Sequence, residues 1–166
     1  TFMGYDAGSA YTTQSQQTAV GYRAMQSATG SDNTAVGYDA LLNLTSGGYN
    51  TAVGHRSLDA ATTAANSTAV GVGSGGDVTT ASAGCYIGSY SGNSVTTGDA
   101  NTTIGHSAGS SITTGTYNIC LGYDAEPTAS DSSGQCTLGD GNIGNLRCND
   151  TSISSLSDRR DKTDIV

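Results

Sequence analysis

Large apolar side chains are scarce in this chain. Leucine, isoleucine, valine and phenylalanine together supply 24 of its 166 residues, which is below the roughly 20% that usually accompanies a folded domain. Such a composition is typical of disordered segments. A strict repeat with fixed β-branched positions, however, is not what an unstructured Gly/Ser/Thr tract shows. The sequence therefore predicts an ordered repeat fold with little apolar surface to bury.

Positive charge is also scarce, and long apolar runs are missing. Six lysines and arginines stand against 14 acidic residues, and the formal net charge is −8. This balance argues against nucleic acid or an anionic membrane surface as a partner. No run of the sequence approaches the roughly 20 apolar residues that span a bilayer. We therefore expect neither nucleic-acid binding nor membrane insertion.

Glycine, by contrast, is abundant and recurs at one repeating position. The interval is 17 residues in every case except Gly21 to Gly37, where it is 16. These repeat-turn glycines are Gly4, Gly21, Gly37, Gly54, Gly71, Gly88, Gly105, Gly122 and Gly139. Self-similarity at so short a period indicates that each repeat, here called a rung, is one circuit of a β-solenoid or β-roll.

Fixed positions before each glycine predict a strand. An apolar residue such as Val53 or Ile104 precedes the glycine, and threonine usually stands two places before it, as Thr51 does. Residues two apart share one face of a strand, so these positions are expected to form the thin core. The residue before the threonine position is often asparagine, as at Asn33 and Asn50. Asparagine there fits a tight corner with a left-handed backbone.

A second short strand is predicted seven residues after each glycine. Apolar residues such as Leu44 and Ile112 are followed there by a hydroxyl, as in Thr45 and Thr113. Identical side chains would stack from rung to rung at about 4.8 Å, so nine rungs would span roughly 40 Å. The sequence thus predicts an all-β fold in which residues 1–141 form a β-roll or β-solenoid shaft of nine rungs.

The thin core bears on the oligomeric state. Ordering the backbone costs about 1–2 kcal/mol per residue, whereas burying a modest apolar side chain returns only about 1.5–3 kcal/mol. A core of Val, Ala and Thr is buried better by several copies than by one. A homotrimer of intertwined or side-by-side β-rolls is therefore favoured over a monomeric solenoid.

The two histidines and the arginines fall into register with the repeat. His55 and His106 follow repeat glycines at a position where other rungs carry tyrosine, so we interpret them as members of a side-chain ladder, not as metal ligands or bases. Asp39 lies between Arg23 and Arg56 in the next column. Cross-rung ion pairs are expected there, each contributing at most about 1 kcal/mol at an exposed site.

The four cysteines do not suggest a disulfide framework. Cys85 and Cys136 share one column three rungs apart, roughly 14 Å at β spacing, which is too far for a disulfide. Cys120 falls one column over and is expected to face the opposite way, and Cys148 lies beyond the repeats. There is no CxxC motif, clustered His/Cys pair, catalytic triad or carboxylate pair. We therefore predict no metal, no cofactor and no enzymatic action on an external substrate.

After Gly139 the period stops and a different signal begins. The run SLSDRRDKTDIV, residues 155–166, resembles the start of the endosialidase-type intramolecular chaperone domain that ends many phage tail fibres and tailspikes. That family carries an S-D-x-R-x-K-x-D/N-I signature, matched by Ser157, Asp158, Arg160, Lys162, Asp164 and Ile165. Residues 142–157 resemble the β-rich neck before that junction. The NTAVG repeats resemble the shafts of such fibres and the heads of trimeric autotransporter adhesins.

The resemblance implies a trimeric virion fibre that serves as a structural shaft for host-surface attachment, with a cell-surface receptor, a glycan, as its partner. Residues 158–166 would begin the chaperone domain, which aligns three chains and then removes itself. Scission would fall between Ser157 and Asp158 in a single turnover. Ser157 would be the hydroxyl nucleophile, and Lys162 the base if it is desolvated.

Two other functions remain open. A trimeric adhesin head on a bacterial cell surface would use the same repeats. An ice-binding β-solenoid would use flat Thr-x-Val ladders as its surface, but the threonine column is interrupted by Cys85, Ile119 and Cys136.

Overall fold

A computed structural model describes residues 1–10 and 16–144 of the chain. The predicted junction residues Ser157, Asp158 and Lys162 lie outside the described residues, as do Cys148 and all of the predicted neck after residue 144.

One parallel sheet organises the described residues, and it contains one short strand from each rung. The nine strands follow one another across the sheet in chain order, which makes about eight circuits of a solenoid. Their bounds are β1 Phe2–Met3, β2 Thr18–Val20, β3 Thr34–Val36, β4 Thr51–Val53, β5 Thr68–Val70, β6 Cys85–Ile87, β7 Thr102–Ile104, β8 Ile119–Leu121 and β9 Cys136–Leu138. The predicted all-β repeat solenoid is confirmed.

Equivalent residues pair from rung to rung. Thr34 faces Thr51 and Val36 faces Val53 in the β3–β4 pair. The single 16-residue interval does not disturb this register, because Thr18 still pairs with Thr34. The residue that the 16-residue rung lacks, compared with the other rungs, is therefore missing from the part outside the strand.

The predicted second strand is wrong, because each described rung contains a single strand. Leu44 is buried where that strand was expected. Beside it, the backbone N–H of Thr45 and of Ser46 and the Thr45 hydroxyl all donate to the carbonyl oxygen of Thr62, at 2.8, 3.2 and 2.9 Å. The backbone bends at Thr45 and Ser46, and the hydroxyl bond offers the Thr62 carbonyl an alternative to a regular strand ladder. The predicted hydroxyl ladder does form.

The strands face the opposite way from the prediction. The middle residue of each strand from β2 to β8 is buried, as Ala52 is, whereas the first and third residues are half-buried or exposed. Val70 is 37% exposed and Ile104 is 40% exposed. The Thr and Val positions therefore do not form the core of the chain. They form its outer surface, and small residues line the inside of the strand.

The interior is filled by a column four residues after each repeat glycine. In most rungs a bulky side chain there occupies the space left by alanine at the middle of the strand, or glycine stands there where the strand carries a larger residue. The first kind of pair is Ala19 with Met25, Ala35 with Leu41 and Ala52 with Leu58, and the second kind is Phe2 with Gly8, Tyr86 with Gly92 and Thr103 with Gly109. The rung of β5 departs from this, with Ala69 and Gly75, and Leu58 and Tyr86 of the adjacent rungs lie over Gly75. A Cβ on Gly92 would overlap the Tyr86 ring. The two columns therefore share one volume, as close packing requires.

The asparagine column is a buried ladder and not a left-handed corner. The Oδ1 atom of Asn33 accepts from the backbone N–H and the side-chain amide of Asn50, at 3.0 and 3.1 Å. The Oδ1 atom of Asn50 in turn accepts from the N–H of Ser67 at 3.0 Å. The left-handed residue is the preceding one, for example Tyr49 with a φ of 62°. The column supplies the interior with hydrogen bonds that a thin apolar core lacks.

Tyr86 fills an interruption in the asparagine ladder. The equivalent residue in its rung is Gly84, and a Cβ there would overlap the Tyr86 hydroxyl. Tyr86 is completely buried, and its hydroxyl has no hydrogen-bond partner among the described residues. Burial raises the pKa of this phenol well above its ordinary value.

We expect Tyr86→Phe to increase stability. The substitution removes a buried hydroxyl without a partner and leaves the ring in place, so the free energy of unfolding should rise by about 1 kcal/mol. Thermal unfolding followed by circular dichroism measures this change. Tyr117→Phe, at an exposed ring, is the control and should leave the melting temperature unchanged. A loss of stability in Tyr86→Phe would contradict the assignment.

Candidate functional site

The outward side of the sheet is a continuous neutral strip, here called the strand face. It comprises the first and third residues of strands β2 to β9, and none of them is buried. They are Thr18, Thr34, Thr51, Thr68, Cys85, Thr102, Ile119 and Cys136 in one column and Val20, Val36, Val53, Val70, Ile87, Ile104, Leu121 and Leu138 in the other. At strand spacing these eight rungs cover roughly 35 Å.

Two aromatic stacks lie beside the strand face, at the position after the repeat glycine, and Val72 and Ser89 separate them. His55 stacks on Tyr38 with ring centroids 5.1 Å apart, and His106 stacks on Tyr123 at 5.5 Å. Tyr5, Tyr22 and Tyr38 continue the first stack at 5.5 and 5.1 Å. The interpretation of both histidines as ladder members is confirmed.

The charged column beside these stacks forms one of the two predicted cross-rung ion pairs. The Arg23 guanidinium lies 2.6 Å from the Asp39 carboxylate, which is only 1% exposed. Hydrogen bonding to Asp39 raises the pKa of Arg23, and the guanidinium lies over the Tyr22 ring at 5.0 Å. The prediction is wrong for Arg56, which lies 4.0 Å from Asp59 of its own rung. With Arg23 bonded to both carboxylate oxygens of Asp39, this carboxylate is already occupied.

A cleft opens where the ladders are interrupted in the rung of β5. Val72 replaces the aromatic residue there, and Gly73 replaces the charged one. The cleft has a volume of about 240 Å³ and is lined by His55, Arg56, Asp59, Val72, Gly73, Gly76, Asp77, Tyr90 and Asn93. The sequence interpretation missed it. The available signal was the glycine-rich run VGVGSGGD at residues 70–77.

The described cysteines are all free thiols. Cys85 is half-buried and Cys136 is exposed, both on the strand face, while Cys120 is buried on the inside. The prediction that Cys120 faces the opposite side of the sheet from Cys85 and Cys136 is thus confirmed. Burial raises the pKa of Cys120 to about 11, so this thiol is not reactive at neutral pH.

The repeat glycines lie at the end of each strand. From Gly4 to Gly122 their φ angles fall between 116° and 142°, and each glycine through Gly105 lies against the carbonyl group of the next in the column. Gly139 differs, with a φ of 71° and the Ile143 side chain beside it. The glycines through Gly105 therefore have a structural role, because a side chain at any of them would overlap the backbone of the next rung.

Within residues 1–10 and 16–144, no group of three His, Cys, Asp or Glu side chains is placed to hold a metal ion. No helix in these ranges is long and apolar enough to cross a membrane.

The sequence matches no protein-family model. Searches of curated proteins and of solved structures also found no match. The resemblance to phage tail fibres therefore depends on the quoted residues of this chain alone.

Proposed function

We propose that this chain is the structural shaft of a trimeric phage tail fibre, located in the virion and used for attachment to the host surface. The observation that carries the proposal is the strand face, a regular strip of mostly β-branched side chains on the outside of a repeat solenoid. Ile87, Ile104 and Leu138 are among its exposed residues. Contiguous exposed apolar surface of this kind marks an interaction site in soluble proteins.

Copies of the same chain fit the strand face. The strand faces of two copies carry the same columns at the same spacing, so the rungs of one copy can align with those of the other. Copies of one chain that associate in this way usually form closed cyclic assemblies. The strand face carries no charged residue, so burying it between copies leaves no unpaired ion. The charged side chains of the described residues all lie outside the strand face. The number three comes from the resemblance of the repeats and the junction to trimeric fibres.

The junction supports the tail-fibre assignment over other trimeric fibres. In this proposal the Ser157 hydroxyl is the nucleophile, and Lys162 accepts its proton and passes it to the departing Asp158 amine. Water then hydrolyses the ester that forms, so that the peptide bond between Ser157 and Asp158 is broken once per chain. The partner of the assembled fibre is a receptor on the host cell, of glycan type.

Cleavage at the junction is tested by expressing the gene's full reading frame. We expect scission after Ser157 in the wild-type protein. Ser157→Ala should abolish scission, because the nucleophile is removed, and should leave a full-length but assembled fibre. Lys162→Ala should slow or stop scission by removing the base. A denaturing gel and N-terminal sequencing of the released fragment give the result.

Arg147→Ala, outside the signature, is the matched control and should be cleaved like the wild type. Scission that persists in Ser157→Ala, or a fragment that begins elsewhere than Asp158, would contradict the junction assignment. A bacterial adhesin head, which is the alternative on a cell surface, predicts no scission at all.

One observation favours a second function. The threonine column lies outward and in register, as an ice-binding β-solenoid requires. The column is interrupted by half-buried Cys85 and by exposed Ile119 and Cys136, and this supports the fibre over ice binding. Thermal hysteresis of a dilute solution distinguishes the two, and the fibre proposal predicts none.

A further inference from the structure

We propose that the cleft in the rung of β5 binds one residue of a neutral hexose-type saccharide. The inference names a ligand class for the proposed attachment function and rests on that function for its biological role. It places binding at one defined rung, on a surface separate from the strand face.

Missing side chains create the cleft. Gly73 stands in the column that holds Arg23, Asp39 and Arg56 in the three preceding rungs, and Gly76 stands in the column of Gln26 and Asp59. Both glycines are buried beneath neighbouring side chains. The Tyr90 ring and the Asn93 amide reach into part of the space that these glycines leave. The cleft is the remaining gap, with backbone at its floor.

Two rings flank this floor. The His55 ring ends the stack that begins at Tyr5, because the next residue in its column is Val72. Its other face is therefore not covered by a further ring. The Tyr90 ring lies 2.9 Å from the position that a Cβ on Gly73 would occupy. Tyr90 is 48% exposed, and its ring is turned 76° from that of His106. Exposed aromatic faces of this kind pack against the C–H face of a pyranose ring.

Polar groups around the rings have unused hydrogen-bonding capacity. The side chains of Asp77 and Asn93 form no hydrogen bond with any described residue. The Oδ1 atom of Asn93 lies 2.7 Å from where a Cβ on Gly76 would be, so this amide reaches over the cleft floor. Among residues 1–10 and 16–144, the one ion-pair contact of the Arg56 guanidinium is with Asp59 at 4.0 Å. Desolvation raises the pKa of the Asp59 carboxyl. Carboxylate, amide and guanidinium groups can each bind hydroxyls in a charge-assisted or bidentate manner.

Charge and size select a neutral sugar. Two carboxylates and one guanidinium line the cleft, and the whole chain carries −8, so an anionic sugar would be repelled. A volume of 240 Å³ is below the roughly 300–1,000 Å³ of sites for drug-sized ligands, which fits a single sugar ring. No strand-face residue lines the cleft. Burial of the strand faces between copies therefore covers no residue that lines the cleft.

Saturation-transfer NMR on the purified chain tests the proposal, with the methyl glycosides of glucose, galactose, mannose and N-acetylglucosamine as probes. N-acetylneuraminic acid is the anionic comparison, and EDTA is present throughout. We expect at least one neutral glycoside to bind and the anionic sugar not to bind. Tyr90→Ala should weaken that binding about tenfold or more, because the platform for the ring is lost.

Tyr117→Ala is a matched control, because both tyrosines are exposed and both have a φ of 58°. It should bind like the wild type. Gly76→Gln places in the cleft the side chain that Gln26 carries in the same column. This side chain fills the cleft, so binding should be abolished. The fold should tolerate it, since the added Cβ displaces only the end of the Asn93 side chain.

Binding by none of the four glycosides would overturn the proposal, as would binding that survives both Tyr90→Ala and Gly76→Gln. Binding of the anionic sugar alone would also overturn it. These outcomes are independent of the mass of the assembly and of cleavage after Ser157, so a failure of this inference is distinguishable from a failure of the proposed fibre function.

Discussion

Gly54→Ala is expected to disrupt the solenoid between the rungs of β4 and β5. Gly54 has a φ of 140°, a backbone conformation that costs a non-glycine residue about 1–3 kcal/mol. In addition, an alanine Cβ would overlap the carbonyl oxygen of Gly71. That oxygen belongs to the backbone, so the overlap is relieved only by opening the spacing between adjacent rungs. We expect the melting temperature to fall by about 10 °C or more.

Gly141→Ala is the control for this effect. A Cβ at Gly141 would meet no atom within 4 Å, and its φ is not positive. The free energy of unfolding of the Gly141→Ala protein should stay within about 0.5 kcal/mol of the wild-type value. Circular dichroism melts of the two variants give the comparison. Coincident melting curves for Gly54→Ala and the wild type would show that the glycine column does not set the rung spacing.

Ile104→Asp and Val53→Asp are expected to dissociate the assembly and leave each chain folded. Ile104 is exposed and Val53 half-buried on the strand face, so an aspartate at either position is solvated in the separate chain. Between copies the same carboxylate would be buried without a partner, which costs several kcal/mol. Light scattering should then give a mass near 16.5 kDa, with a circular dichroism spectrum like that of the wild type.

Two further substitutions separate assembly from folding. Ala52→Asp places a charge on the inside of the same strand, where Ala52 is completely buried, and should unfold the chain. Thr63→Asp adds a charge at an exposed residue away from the sheet and should preserve the assembly. An Ile104→Asp protein that keeps the wild-type mass would show that the strand face is not the interface.

The period of the repeat predicted the architecture, but it did not predict which side of the strand is inside. Thr51 and Val53 share a face because they are two residues apart, and this holds in either orientation of the strand. The orientation depends on Leu58, which fills the interior opposite Ala52. Leu58 has a φ of 50°, and bulky residues rarely adopt that conformation. No sequence rule would therefore have placed it in the core.

The ladders of the candidate site were predictable, and the cleft was not. His55 and His106 follow repeat glycines, so register alone places them in a stack. The cleft depends on the side chains that Gly73 and Gly76 lack and on the orientation of Tyr90. That orientation is set by packing and not by spacing. Likewise, register allowed Asp39 to pair with either Arg23 or Arg56, and only the side-chain conformations select Arg23.

The mass of the purified wild-type chain in solution shows whether the strand faces of several copies bury one another. In the proposed trimer three strand faces close around a common axis, so multi-angle light scattering should give about three times the 16.5 kDa mass of one chain. A folded, stable particle of 16.5 kDa would show that the strand face stays exposed to solvent and that the chain is not a trimer.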